Sequence, residues 1–271
     1  MKNLLALINH PADSNSFIQY TAGMAKDLNF NLYLLYIQDP EAYSYGTTGA
    51  SGMGAMQVQS NMEAIIKSAN EEMEKSIAEL AKNISDDVKV DYSAEIGNRK
   101  TVVDTFISEG KAESVVLERQ KDETFWNLTS TNMDVVRQLD CPVWVIPRDF
   151  KYKPFKEIIY STDYNEEDIS SIKRLVDLLE KYNPFITALH ITKSSDFREK
   201  VMQSGFNDLL REKISYDRLS VKTLPEEDKH DIGDILNDFG MKHNADLIVI
   251  LRENKGFFDR LFHTSRTRKV I

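Results

Sequence analysis

Short apolar runs alternate with stretches of helical period along this chain, and the whole alternation occurs twice. The run Leu4-Leu5-Ala6-Leu7-Ile8 is continuous rather than alternating, as in a strand covered on both faces. It predicts a first strand over residues 3–8. A helix over 14–28 follows, with Phe17, Thr21, Met24 and Leu28 on one face. A second strand is predicted over 31–37. Met62, Ile65, Ile66, Ala69, Met73, Ile77 and Leu80 then repeat at spacings of three and four, the mark of a long amphipathic helix. A strand over 88–96, a short helix over 100–109 closed by Gly110, a strand over 114–117, a helix near 131–139 and a fifth strand, Pro142-Val143-Trp144-Val145-Ile146-Pro147, complete the first pass.

The second pass keeps the order. Strands are predicted over 157–162, 185–191, near 219–224 and over 247–250. Helices are predicted over the Ile169, Ile172, Val176, Leu179 stripe, near 196–213 and near 232–243. Ile158-Ile159-Tyr160-Ser161-Thr162 answers the first strand 154 positions later, and residues 186–191 answer 32–37 at the same offset. Residues 245–250 answer 112–117 at 133, and Thr264-Ser265 answers Thr129-Ser130 at 135. One unit has therefore been used twice, which predicts two α/β domains, residues 1–147 and 156–271, joined by a short link at 148–155.

The falling offset places about 21 extra residues in the first copy. Their expected site is 39–60, where a Gly/Ser/Thr-rich stretch reads as a surface loop. It lacks the Gly-Lys-Ser/Thr ending of a phosphate-binding loop. The second copy ends at Ile271, inside the helix that precedes the first copy's fifth strand, so the expectation is a second domain without its last strand.

Composition narrows the partners. The formal net charge is −9 and no long basic block offsets it, so nucleic acid is not the expected partner. Residues 252–271 are the exception, with six Lys/Arg against two Asp/Glu. The single Cys141 allows no intrachain disulfide, and no apolar run approaches the ~20 residues of a membrane span; a cytoplasmic protein is expected, with no membrane partner.

These residues carry a resemblance. A strand ending in Ile8-Asn9 or Thr162-Asp163, a second strand with Leu189-His190-Ile191, and a last strand Cys141-Pro142-Val143-Trp144-Val145-Ile146 resemble the universal stress protein family, in order and nearly throughout the chain. The resemblance implies two Rossmann-like (adenine nucleotide alpha hydrolase-like) domains, each a mostly parallel five-stranded sheet flanked by helices. It implies self-association through last strands: an internal pseudo-dimer of the two copies, and a homodimer as a further option beside protein partners not identifiable from sequence. It also implies a ligand crevice at the carboxyl ends of the strands.

Family members that bind ATP carry Gly-x-x-Gly, nine residues, then Gly-Ser/Thr after the fourth strand, where bare backbone amides and a helix N-terminus hold phosphates. Here Leu251, Asn254 and Thr264 stand at the second copy's glycine positions, with Ser265 at the hydroxyl position; Glu118, Lys121 and Thr129 stand in the first, with Ser130. All six glycines are replaced. The candidate nucleotide contacts are Asp163, Arg252, Asn254 and Ser265 in the second copy and Asn9 and Ser130 in the first. The alternative for Asp163 is a satisfied turn or helix-capping residue. No cofactor is expected, with ATP and magnesium as the alternative through the second copy.

Other chemistry is sparse. The five histidines show no metal spacing, and Cys141 reads as a small core residue. No Gly-x-Ser-x-Gly elbow is present. Phe257, Phe258, Leu261 and Phe262, interleaved with Arg260, Arg266, Arg268 and Lys269, read as core and rim residues, or as a basic amphipathic helix. The functional expectation is a non-enzymatic binding or regulatory module of a stress response. An ATP-binding or weakly ATP-hydrolysing switch is one alternative, and an interaction module without a small ligand is the other.

Overall fold

A computed structural model describes residues 2–40, 52–80, 88–119, 128–147, 150–193, 196–226, 231–252, 258 and 261. The chain divides into two compact units, Met1–Lys153 and Pro154–Ile271.

In the first unit the strands are β1 (Lys2–Ile8), β2 (Phe30–Gln38), β3 (Val90–Ile96), β4 (Ser114–Arg119) and β5 (Val143–Pro147). They pair in parallel in the order β3-β2-β1-β4-β5. The central pair explains why the apolar runs are continuous. Leu4, Leu5, Ala6, Val115, Val116 and Leu117 are wholly enclosed, and each large side chain so buried contributes about 1.5–3 kcal/mol. Trp144 Nε1 donates to Ser114 Oγ at 2.7 Å, tying β5 to β4.

The helices are α1 (Asn15–Leu28), α2 (Gly52–Leu80), α3 (Arg99–Ser108) and α4 (Ser130–Gln138). Helix α1 buries Phe17, Ile18, Met24 and Leu28 and stops at Asn29, whose φ of 57° suits asparagine better than most residues. Helix α3 starts at Asn98, whose side chain accepts from the backbone N–H groups of Lys100 and Thr101. Gly110 follows it at φ +65°, where a side chain would be strained. Cys141 is partly buried against the same core as Leu117 and Val135, as expected of a small core residue.

One expectation changes. Residues 52–60, read as part of a surface loop, are the first turns of α2. Gly52 and Gly54 lower local propensity, yet Met53 and the Ala55, Met56, Gln57 and Gln59 that follow let a helix nucleated in the periodic part extend backward. Residues 41–51 of the insert lie outside the described residues.

The segment after β5 folds back on its own unit. Tyr152 donates to Asp27 Oδ2 at 2.6 Å and packs edge-on against Tyr20, with ring centroids 5.2 Å apart. Gly23 makes room for it, since a Cβ there would lie 2.6 Å from Tyr152 Cδ1.

The second unit repeats the arrangement with β6 (Glu157–Ser161), β7 (Phe185–Thr192), β8 (Leu219–Pro225) and β9 (Leu247–Ile250), all parallel, in the order β8-β7-β6-β9. Four strands are present among the described residues. The match reaches the register: Ala6 lies between Leu34 and Val116, and Tyr160 between Ala188 and Val249. Its helices are α5 (Glu166–Leu179), α6 (Phe197–Lys213) and α7 (Ile232–Lys242). Asp196 and Asp231 cap the last two by accepting from Glu199 N and Asp234 N. The Asp246 carboxylate accepts from Lys156 N and Glu157 N, fixing where β6 begins.

Candidate functional site

In each unit the strand order reverses beside the first strand, between β1 and β4 and between β6 and β9. The crevice beyond the carboxyl ends of such strands is where a doubly wound sheet holds ligands. Asn9 and Asp163 stand at that end, one residue after β1 and two after β6.

The second unit's crevice is built on a residue that the sequence reading passed over. Asp168, in the first turn of α5, is 1% exposed. Its carboxylate accepts from Tyr160 Oη (3.0 Å), Thr162 Oγ1 (2.7 Å), Asp163 N (3.2 Å) and Asn165 N (3.2 Å). Four donors and a helix N-terminus satisfy a charge that would otherwise be costly to bury. Burial, and then the Asp168 charge, push the Tyr160 phenol above its ordinary range. Asn165 and Asp168 form the capping box of α5, so that role does not fall to Asp163.

Asp163 Oδ1 lies 3.5 Å from His190 Nδ1, and Glu199 Oε2 lies 3.5 Å from His190 Nε2. His190 Nδ1 also donates to the Thr162 carbonyl at 2.7 Å, which sets the ring's orientation. The two carboxylates sit on opposite sides of the imidazole, so one ion cannot use both. Among the described residues no group of three His, Cys, Asp or Glu side chains is placed to hold a metal.

Above this cluster lies Tyr164, at φ 60°. An aromatic residue there costs on the order of 1–2 kcal/mol. Its contacts offset that cost: its N–H donates to Thr162 Oγ1 at 2.9 Å, and its hydroxyl shares a 2.7 Å hydrogen bond with Thr223 on β8. Its ring packs between His190 (centroids 4.4 Å) and Phe206 of α6 (5.0 Å). Burial raises the Tyr164 phenol above its usual value. The ring thus covers the carboxyl ends of β7 and β8, on the side of β6 away from β9.

In the first unit a cation reaches the corresponding strand end. Arg99, the first residue of α3, donates from Nη1 to Asn9 Oδ1 at 2.7 Å. Glu118, in the first glycine position, is 3% exposed, and its backbone carbonyl accepts from Asn132 Nδ2. Thr129, in the third, is the N-cap of α4, its hydroxyl accepting from Asn132 N. Ser130 begins α4, with its side chain outside the described residues. In the second unit Arg252 is two residues beyond β9, beside the end of β6. Asn254 and Ser265 lie outside the described residues. Leu251 and Glu118 stand where the loops after β9 and β4 begin, and residues 120–127 and 253–257 of those loops lie outside the described residues.

The profile of the Universal stress protein family matches residues 1–147. No curated protein matches the chain. Among solved structures it is similar to a universal stress protein from Archaeoglobus fulgidus DSM 4304 (13% identity, 92% of this chain and 86% of that one, TM-score 0.58). It is also similar to a putative universal stress protein from Pseudomonas aeruginosa UCBPP-PA14 (15% identity, 92% and 81%, TM-score 0.56). At these identities the likeness concerns the fold, and it extends over both units. No helix among the described residues is long and apolar enough to cross a membrane. With two doubly wound parallel sheets and the family profile over more than half its length, the chain belongs to the universal stress protein family.

Proposed function

We propose that this protein acts in a stress response as a non-enzymatic binding or regulatory module that does not depend on ATP. The observation that carries the reading is the Tyr164 ring, held between His190 and Phe206 and anchored on Thr223. Opening the crevice for a nucleotide would cost those contacts. Arg99 on Asn9 plays the corresponding part in the first unit.

Thermal unfolding during titration with ATP and magnesium tests the proposal. A ligand at one hundred times its dissociation constant adds about 2.7 kcal/mol to native stability. No change in melting temperature is expected at millimolar nucleotide. Tyr164→Ala, which uncovers the crevice, is the variant in which binding should first appear. A rise in the unmodified protein that disappears in Asp163→Ala would overturn the proposal in favour of a nucleotide switch in the second unit.

A further inference from the structure

The His190 ring is surrounded by oxygen atoms, and they do not all suit a neutral imidazole. Nδ1 lies 2.7 Å from the Thr162 carbonyl, which can only accept, so Nδ1 carries hydrogen. Asp163 Oδ1 stands 3.5 Å from the same nitrogen. In a neutral ring the other nitrogen, Nε2, is then a lone-pair acceptor. What it faces, 3.5 Å away, is Glu199 Oε2, which is an acceptor as well. That oxygen is enclosed, and it makes no hydrogen bond among the described residues. Two acceptors turned toward each other away from water repel unless a proton lies between them.

The other charged groups of the neighbourhood are directed elsewhere. On β8, Lys222 lies over the Phe239 ring at 5.5 Å, and its neighbour Thr223, the register partner of His190, shares its hydroxyl with Tyr164. Lys193, farther along β7, stands 3.9 Å from Glu226. Arg198 and Lys200 flank Glu199 on α6 and are exposed. The Asp168 carboxylate is occupied by its four donors. Burial keeps the Tyr164 phenol in its neutral form.

We propose that a proton held between His190 Nε2 and Glu199 Oε2 is a latch on the Tyr164 cover. With the proton in place, Glu199 fastens the first turn of α6 to β7. Phe206, on the same helix, then walls the Tyr164 ring against His190. Without it the facing lone pairs push the helix and the strand apart, and the ring loses one of its two walls. A proton bound in the closed arrangement favours that arrangement as pH falls and releases it as pH rises. The latch rests on the reading of Tyr164 as the cover of the second crevice.

NMR of the full chain from about pH 5 to about pH 8 tests it, by reading the His190 ring nitrogens, the Tyr164 ring and the amides of residues 197–201 together. Both ring nitrogens should be protonated at the acid end. Loss of the Nε2 proton should shift the Tyr164 and α6 signals with the same midpoint. Glu199→Gln keeps the shape and can donate to a neutral ring, so in that variant the Tyr164 and α6 signals should lose their pH response. If the variant does not fold, the unmodified chain decides alone. An Nε2 bare across the range, a proton that never leaves, or a titration that Tyr164 and α6 ignore would each overturn the latch. The ATP titration is a separate arm: nucleotide binding by the unmodified protein would remove the covered-crevice reading and leave the coupled titration standing.

Discussion

The two crevices solve the same problem with different means. In the first unit a guanidinium reaches from α3 to Asn9. In the second, an aromatic ring caps a histidine set between two carboxylates, above the buried Asp168. The scaffold beneath is shared to the level of strand register, so the fold did not dictate either solution. Side chains at a few loop positions did, as expected where function is carried by loops on a rigid sheet.

The largest test of that contrast is Asp168→Ala. It strands the Tyr160 and Thr162 hydroxyls and two backbone N–H groups, and should cost about 3 kcal/mol or more, read as a lower urea midpoint. Asp168→Asn keeps the shape and should cost less. If the loss is confined to the second unit, hydrogen exchange in β1 and β4 will stay slow.

A middle-sized effect should come from Gly23→Ala in the first unit. Alanine gains about 1 kcal/mol of helix propensity, but its Cβ must displace the Tyr152 ring, an overpacking cost of about 1–3 kcal/mol. The variant should be destabilised in the wild-type background and stabilised in Tyr152→Ala, where the obstructing ring is gone. Stabilisation in both backgrounds would show that the ring yields freely.

The smallest effect concerns alkaline pH. Tyr160 holds its proton more tightly folded than unfolded, so its contribution is complete below about pH 10 and declines as pH rises beyond that. Tyr160→Phe should flatten this alkaline decline. At neutral pH it should cost about 1 kcal/mol for the lost hydrogen bond to Asp168. An unchanged alkaline limb would show that other groups govern it.

The sheets were readable from the chain because parallel strands buried on both faces leave apolar runs such as Leu4–Ile8. Helix α2 was readable only where Met62 to Leu80 keep period; its glycine-bearing start carried no such signal. Asp163 was visible as a strand-end turn residue. Its partners were not, because Asp163, His190 and Glu199 come together only when β6, β7 and α6 are in place. Asn9 and Arg99, 90 positions apart, are a harder case still. Tyr164 left one faint trace: it stands in the turn directly after Asp163, where a bulky residue at positive φ is unexpected. His190 is legible as part of the second strand's Leu189-His190-Ile191 pattern but not as a member of this cluster, since spacing along a chain says nothing about a neighbour supplied by another element.

The hydrogen bonds of Asp168 all join residues within eight positions of one another, whereas the Asn9–Arg99 bond closes a loop of 90. Short loops are cheap to close and long ones are not. During folding, the floor of the second crevice should therefore knit together early, around a single strand–turn–helix. The rim of the first must await the arrival of distant chain, and so should be among the last features of its unit to form.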